Sequence, residues 1–323
     1  GESPRFAVVC VQSLSPRIPT LVSSKGAFPE GVAMPRRPLF IGSRKISIKS
    51  CILQQLTFII RESLAGLLKY RRISMATEFK GMVAVVTGSG SGIGLATARL
   101  LKSRGAAIFG LDLQQGELGD VGTWVSCDVS DRASVSAAFE VIQSHVDRID
   151  IVVNNAGIGA IGTILDATDE EWDNVYRVNV VGTALVSAAA LPLLLKSENA
   201  SIVNLCSIAA TVGLPSRAVY SASKGAVLSL TLAMAADFVG DNIRVNCVNP
   251  GTADTPWIRR LLSKASEPAA ELEALNLRQP IRRLITAEEV AQSVCYLASP
   301  LQASTTGTIL AVDGGFDTLR LRR

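Results

Sequence analysis

Residues 83–102 read VAVVTGSGSGIGLATARLLK, and this stretch decides the fold. Val83–Thr87 is an apolar, β-branched run of strand length, and from Ile93 onward the apolar residues fall at helical spacing. Gly88, Gly90, Gly92 and Gly94 lie between the two. A strand that runs through a glycine turn directly into a helix opens a crossover unit, whose helix carries the chain back to a parallel second strand.

The same alternation repeats along the chain. Strands are expected at Val83–Thr87, Ala107–Asp112, Trp124–Asp128, Ile149–Asn154, Ser201–Ser207, Ile243–Asn249 and Thr308–Asp313, with helical periods near 93–104, 131–145, 169–195, 217–239 and 287–298. Thr168 with Glu171, and Thr286 with Glu289, have the spacing of capping boxes. Apolar strands separated by helices predict an α/β fold: one Rossmann-type domain over residues 75–323, a doubly wound parallel sheet of about seven strands with helices on both faces. The most apolar stretch, Val178–Leu195, contains Asn179, Gly182, Thr183, Ser187 and Pro192, so it reads as a core or subunit-interface helix, not a membrane span. Segment 217–239 is also apolar on more than one face, and the two together predict a homo-oligomer, a tetramer or dimer.

Composition narrows the function classes. Of 323 residues, 48% are hydrophobic and 19% charged, which supplies a large core. Six cysteines with no C-x-x-C pair argue against a disulfide scaffold or a structural zinc site and for a reducing, cytoplasmic compartment. The single histidine, His145, excludes any histidine cluster or zinc triad, so no metal site is expected and a catalytic proton must come from another side chain. Residues 1–74 hold 12 Lys/Arg against 3 Asp/Glu, and the rest of the chain holds 20 against 25. A mildly acidic body does not suit nucleic acid. Segment 1–74 is basic and rich in serine and proline, and Cys51–Arg72 has helical amphipathicity broken by Arg61 and Glu62. It reads equally as an organellar targeting segment or as an upstream extension without a fold, since MATEFKGMVAVVTG from Met75 looks like a protein start.

The glycine turn is suited to a pyrophosphate, because glycines let the backbone approach it and free amides at the helix start favour its charge. Its spacing, G-x-x-x-G-x-G, departs from the usual dinucleotide fingerprint. Asp112, at the end of the second strand, can accept both ribose hydroxyls of an adenosine. A 2′-phosphate would meet its charge, and no Lys or Arg stands at Ser91, Leu113 or Gln114 to offset the repulsion, so the cofactor expected is NAD rather than NADP.

Further along come Asn154-Asn155-Ala156-Gly157, then Asn179, Ser207, the pair Tyr220 and Lys224 on one helix face, and Pro250-Gly251. With Thr87–Gly94, this ordered set resembles the short-chain dehydrogenase/reductase family over residues 79 to about 317. The resemblance implies an oxidoreductase that interconverts a secondary alcohol and a ketone, with Asn179, Ser207, Tyr220 and Lys224 catalytic. Tyrosine alone is a poor base at neutral pH; Lys224 and the positive nicotinamide would stabilise its phenolate, so that Tyr220 exchanges a proton with the alcohol. Ser207 would hold the substrate oxygen, and Asn179 a water linking Lys224 to solvent. The cofactor would lie along Gly88, Ser91, Gly92, Ile93, Gly94, Asp112, Asp128, Val129, Asn155, Ala156, Gly157, Tyr220, Lys224, Pro250, Gly251, Thr252 and Thr255, with Asp128 near the adenine and Asn155 and Gly157 near the ribose.

Against the family pattern, the segment between Asp112 and Asp128 is short and carries Gly116, Gly119 and Gly122, so its usual helix should shrink to a loop or one turn. Cys127, Cys206, Cys247 and Cys295 fall in strand or helix patterns and read as core. The long segment 252–284 is amphipathic and could close over the site as a lid. It carries Arg259, Arg260, Arg278, Arg282 and Arg283, and Arg217 precedes Tyr220 by three. The P-G-T-x-D-T-P run, the R-Q-P segment and Arg217 resemble the branch acting on small hydroxy acids and deoxy-sugar acids, with Ser207, Arg217, Tyr220 and Arg278 as substrate contacts. Alternatively, these arginines are solvated or pair with acids such as Glu271 and Glu273. A 3-oxoacyl-carrier-protein reductase with the same tetrad, and a non-catalytic NAD-binding protein, are the competing readings.

Overall fold

Val83–Thr87 forms β1 as expected, and it is paired on both sides. Val83 stands opposite Ala107 of β2 (Ala107–Asp112), and Ala84 and Val86 stand opposite Ile151 and Val153 of β4 (Ile151–Asn154). A computed structural model describes residues 77–263 and 265–321; both readings of segment 1–74 lie outside the described residues. The sheet continues through β3 (Thr123–Ser126), β5 (Ser201–Leu205), β6 (Arg244–Pro250) and β9 (Ile309–Val312). Its seven strands are all parallel, in the order β3-β2-β1-β4-β5-β6-β9. The winding reverses between β1 and β4, which leaves a crevice at their carboxyl ends.

Both faces of the sheet are covered. Ala84 and Val86 of β1 pack with Leu95, Ala98 and Leu101 of α1 (Gly92–Ser103) and with Val290, Val294 and Leu297 of α8 (Ala287–Ala298). Val85, between them, packs in the opposite layer with Phe139 of α2 (Arg132–Gln143), Leu185 of α4 (Gly182–Leu194) and Met234 of α5 (Ala218–Phe238). Alternate residues thus enter opposite cores, which is why the strands read as continuous apolar runs.

The expected elements are present, with informative differences at their ends. Strand β5 stops at Leu205 and frees Cys206 and Ser207, and β3 stops at Ser126 and leaves Cys127 and Asp128 beyond it. Segment 169–195 is not one regular helix. Helix α3 (Asp169–Tyr176) passes through a π-turn at Arg177–Val181 before α4 begins. Between Asp112 and Asp128 there is a 3₁₀ turn at Gly119–Val121, as the short glycine-rich segment predicts. The long segment after β6 holds a short strand β7 (Ala253–Asp254), helices α6 (Pro256–Leu262) and α7 (Pro268–Arg278), and strand β8 (Ile285–Thr286) paired with β7. Asp169–Leu194 and Ala218–Asp241 are long and apolar enough to cross a membrane, but both contribute side chains to the core on one face of the sheet.

Cys127, Cys206, Cys247 and Cys295 are buried free thiols. Burial pushes Cys127 up to about 11 and Cys295 up to about 12, so both stay protonated packing residues.

Thr286 completes its capping box: its hydroxyl accepts Glu289 N at 3.1 Å, and Glu289 Oε2 accepts Thr286 N at 2.8 Å. Glu289 also receives Arg283 at 2.6 Å, and mainly for that reason its carboxyl is held down to about 2. A depressed carboxyl stabilises the fold above the usual glutamate range, and that contribution is lost as pH falls through the folded value. Glu289→Gln is therefore expected to lower the denaturation midpoint at pH 7, with the gap to wild type closing between about pH 4.5 and 2. Thr286→Ala is expected to cost about 1 kcal/mol. Urea unfolding across that pH range measures both.

Candidate active site

The crevice is built from the ends of successive strands. After β1 the chain turns through Gly88, whose φ of +64° is left-handed, and enters α1 with extended Ser91 at its N-cap. No side chain caps that helix and its first turn holds no acidic residue, so its amides are free for an external anion. Gly94 keeps the turn closed: a Cβ there would lie 2.1 Å from Gly88 O and 2.5 Å from Asn155 Nδ2. Asp112 reaches back from the end of β2, its Oδ2 accepting Gly90 N at 2.9 Å. The Asp112 carboxylate and the glycine turn are therefore adjacent. Gly88, Ser91, Gly92, Ile93, Gly94 and Asp112 fit a dinucleotide.

Beyond β4, Asn155 Nδ2 donates to Thr87 O at 2.9 Å and Gly88 O at 3.1 Å. Its amide is committed to the glycine turn. Asp128 stands beyond β3 with Oδ1 accepting both N and Oγ of Ser130, and Val129 packs against Gly182. Pro250 ends β6, and Gly251 N donates to Val312 O at 2.9 Å. Thr255, the extended N-cap residue of α6, lies with Pro256 against Gly92, so the start of segment 252–284 touches the glycine turn.

Three of the four expected catalytic residues, Asn179, Tyr220 and Lys224, lie close together, and Ser207 stands two residues beyond Leu205, whose carbonyl Lys224 reaches. Asn179 lies in the π-turn and is 1% exposed. The wider turn directs its amide across to the loop after β4: Oδ1 accepts Ile158 N at 2.8 Å, and Nδ2 donates to Ile158 O at 2.9 Å and Ser223 Oγ at 3.0 Å. Single π-turns inside α-helices are frequent at functional sites. Lys224 is buried, donates to Leu205 O at 2.8 Å, and holds its Nζ 5.9 Å from the Tyr220 ring centre. From the Cβ position of Gly157, Asn179 Oδ1 is 3.1 Å away and Lys224 Nζ 3.5 Å. Ser207 begins a 3₁₀ turn, its hydroxyl accepting Ala209 N at 3.1 Å. Tyr220 packs in a small apolar cluster with Ala160, Val175 and Val219.

The arginines sort themselves by partner. Arg259 is bidentate with Asp254, at 3.0 and 3.1 Å, and Arg283 pairs with Glu289, so these two are structural. Arg217, at the N-cap of α5, and Arg278, in the last turn of α7, have no carboxylate within 4.0 Å among the described residues. Burial, and then the neighbouring charge of Arg278, push the Arg217 guanidinium below its usual range. Arg217 thus has a second cation, Arg278, among its charged neighbours, and Tyr220 and the Glu271 carboxylate act in the opposite direction from beyond ion-pair distance.

Three contributors escaped the sequence reading. Thr87 Oγ1 accepts the N–H groups of Asn155 and Ala156, both at 2.9 Å. Ser223 bridges Asn179 to Tyr220 O, its own hydroxyl donating at 2.8 Å. Trp257, in α6, packs on Gly159 beyond β4. Thr87 and Ser223 sit inside quoted motifs, but their hydrogen bonds depend on elements far away in sequence.

A family model described as enoyl-(acyl carrier protein) reductase matches residues 88–317. The chain is 38% identical to 2-(S)-hydroxypropyl-CoM dehydrogenase 3 of Xanthobacter autotrophicus, over 76% of this chain and 100% of that enzyme. It is 39% identical to cis-4-hydroxycyclohexanecarboxylate dehydrogenase of Sinomonas cyclohexanicum, over 75% and 99%. The ligand-free structure of Thermoplasma acidophilum aldohexose dehydrogenase superposes with a TM-score of 0.71 at 31% identity, over 76% of this chain and 99% of that one. These likenesses place the chain in the short-chain dehydrogenase/reductase family, as a nicotinamide-dependent oxidoreductase acting on CH–OH groups.

Proposed function

We propose that this chain is an NAD-dependent dehydrogenase that interconverts a secondary alcohol and a ketone on a small hydroxy acid or sugar-derived acid. The observation that carries the substrate class is the unpaired Arg217 and Arg278 beside Tyr220. Like charges brought near one another are costly, Glu271 offsets them only from beyond ion-pair distance, and guanidinium groups grip a carboxylate through paired hydrogen bonds. Asp112 supports NAD, since a 2′-phosphate would be repelled there.

The dinucleotide supplies the hydride acceptor or donor, and the chain's residues handle position and the proton. Ser207 orients the substrate oxygen toward the Tyr220 hydroxyl, which accepts the alcohol proton in oxidation and donates it in reduction. Lys224, buried without a carboxylate, stabilises the tyrosinate. Asn179 and Lys224, both facing Gly157, hold a water through which the proton reaches solvent.

The description of the matching family model names an acyl-carrier-protein reductase, and such an activity is the principal alternative. Cofactor preference and demand for a free acid group separate the two. A non-catalytic role would not need Asn179, Ser207, Tyr220 and Lys224 all to be present. Leu232 and Val239, near the end of α5, and Leu195, just beyond α4, are exposed apolar residues that favour self-association.

Steady-state kinetics should give a higher kcat/KM with NAD than with NADP, and Asp112→Ala should narrow that gap; a wild-type preference for NADP overturns the assignment. Tyr220→Phe is expected to lower turnover by about 10²–10⁴-fold with nearly normal NAD binding. Substantial residual activity would mean that another group carries the proton. Arg217→Ala should lower kcat/KM for a hydroxy acid by the equivalent of about 2–5 kcal/mol, and far less for its ester or a neutral alcohol. Equal losses on both would make Arg217 structural and remove the hydroxy-acid reading.

A further inference from the structure

We propose that Gln279 is a positioning residue that couples dinucleotide binding to the grip on the substrate's acid group. The inference rests on the reading that the Pro250–Thr252 turn faces the dinucleotide and Arg278 the anion.

Gln279 follows Arg278 directly at the C-cap of α7 and is 1% exposed. Its backbone is fixed on both sides, N donating to Asn276 O at 3.2 Å and O accepting Arg282 N at 2.8 Å. Its side chain leaves the lid and reaches the sheet. Nε2 donates to Thr252 O at 3.3 Å and to Arg283 O at 2.6 Å. Both amide hydrogens are therefore used on two carbonyls, one just beyond β6 and one where the lid returns to β8. The opposite orientation of the amide would point its oxygen at both carbonyls, so the hydrogen bonds fix which way it faces.

The remaining atom, Oε1, is buried without a donor and lies against Gly251. A Cβ at Gly251 would come within 2.3 Å of it. The glycine of the Pro-Gly turn is thus required by its close neighbours, Gln279 Oε1 and the Asp313 backbone at 3.0 Å, and not by its own dihedral angles. Thr252 O accepts Ile285 N at 3.0 Å as well, so the turn, the end of the lid and the β7–β8 pair meet at one carbonyl.

One buried side chain thereby connects the Gly251–Thr252 backbone to the residue next to Arg278. A displacement of that turn by bound dinucleotide is transmitted to Arg278 through a rigid amide. Linkage requires the reverse: an anion held by Arg278 must tighten the dinucleotide by the same factor. A merely structural glutamine would affect stability and leave that factor alone.

The test measures the Kd of NADH by fluorescence on the intact chain, with and without saturating butyrate as an unreactive carboxylate. Wild type is expected to bind NADH at least about 5-fold more tightly with butyrate present. Gln279→Leu and Gln279→Glu, neither of which can donate to the two carbonyls, should bring that ratio to about 1 and raise KM for a hydroxy acid more than they lower kcat. Gln279→Met serves if either variant fails to fold. A ratio that is 1 in wild type, or that survives in a folded Gln279 variant, overturns the coupling. In parallel, Arg278→Ala should abolish butyrate binding. If it does while the ratio persists in Gln279→Leu, only the coupling fails; if Arg278→Ala binds butyrate normally, the anion site and the coupling fall together.

Discussion

The site depends on a clasp at the Thr87 hydroxyl. At the switch point β1 and β4 part, and their last backbone groups lose a ladder partner just where a dinucleotide must enter. Thr87 Oγ1 accepts the amides of Asn155 and Ala156, and Asn155 Nδ2 answers with bonds to Thr87 O and Gly88 O. Each such bond contributes about 1 kcal/mol net, but a buried amide left without its partner costs about 1–3 kcal/mol. The clasp makes the glycine turn and the Asn-Asn-Ala-Gly turn one rigid unit. It also explains why Gly94 approaches both so closely.

A second buried polar chain holds the catalytic helices to this unit. Asn154 Nδ2 donates to Ser187 Oγ on α4 and to Asn204 Oδ1 on β5, and Asn204 Nδ2 donates to Thr231 Oγ1 on α5. Thr183 Oγ1, one turn beyond Asn179, donates to Asn179 O. In a low-dielectric interior, such a chain fixes one arrangement because any slip leaves several polar groups unpaired. The helices carrying Asn179 and Tyr220 are thereby registered against the strand that ends at the crevice. Fully apolar packing between α4 and α5 would not discriminate among rotations so sharply.

Charge on the lid follows a parallel logic. Arg259 and Arg283 are neutralised by Asp254 and Glu289 and lock the ends of the segment, whereas Arg217 and Arg278 form no ion pair within 4.0 Å among the described residues. All four look alike in sequence. Partners at five and six residues' distance make the first two structural.

Period and turn chemistry can be read along the chain. The βαβ repeat, the seven parallel strands, the glycine turn and the reduced 112–128 segment are all legible from residue spacing, because each rests on interactions within one element or between neighbours. The order of the tetrad was equally legible. Tertiary structure alone decided the rest. Asn179 looks like part of a regular helix until the Ile158 loop and Ser223 draw its amide sideways and the helix widens to π. Thr87 looks like the last residue of a strand, and Gln279 like a polar residue in a lid, until strands and turns distant in sequence bring carbonyls and amides to them. Side-chain hydrogen bonds over such separations leave no period in a sequence, since any residue pattern compatible with the two elements could flank them.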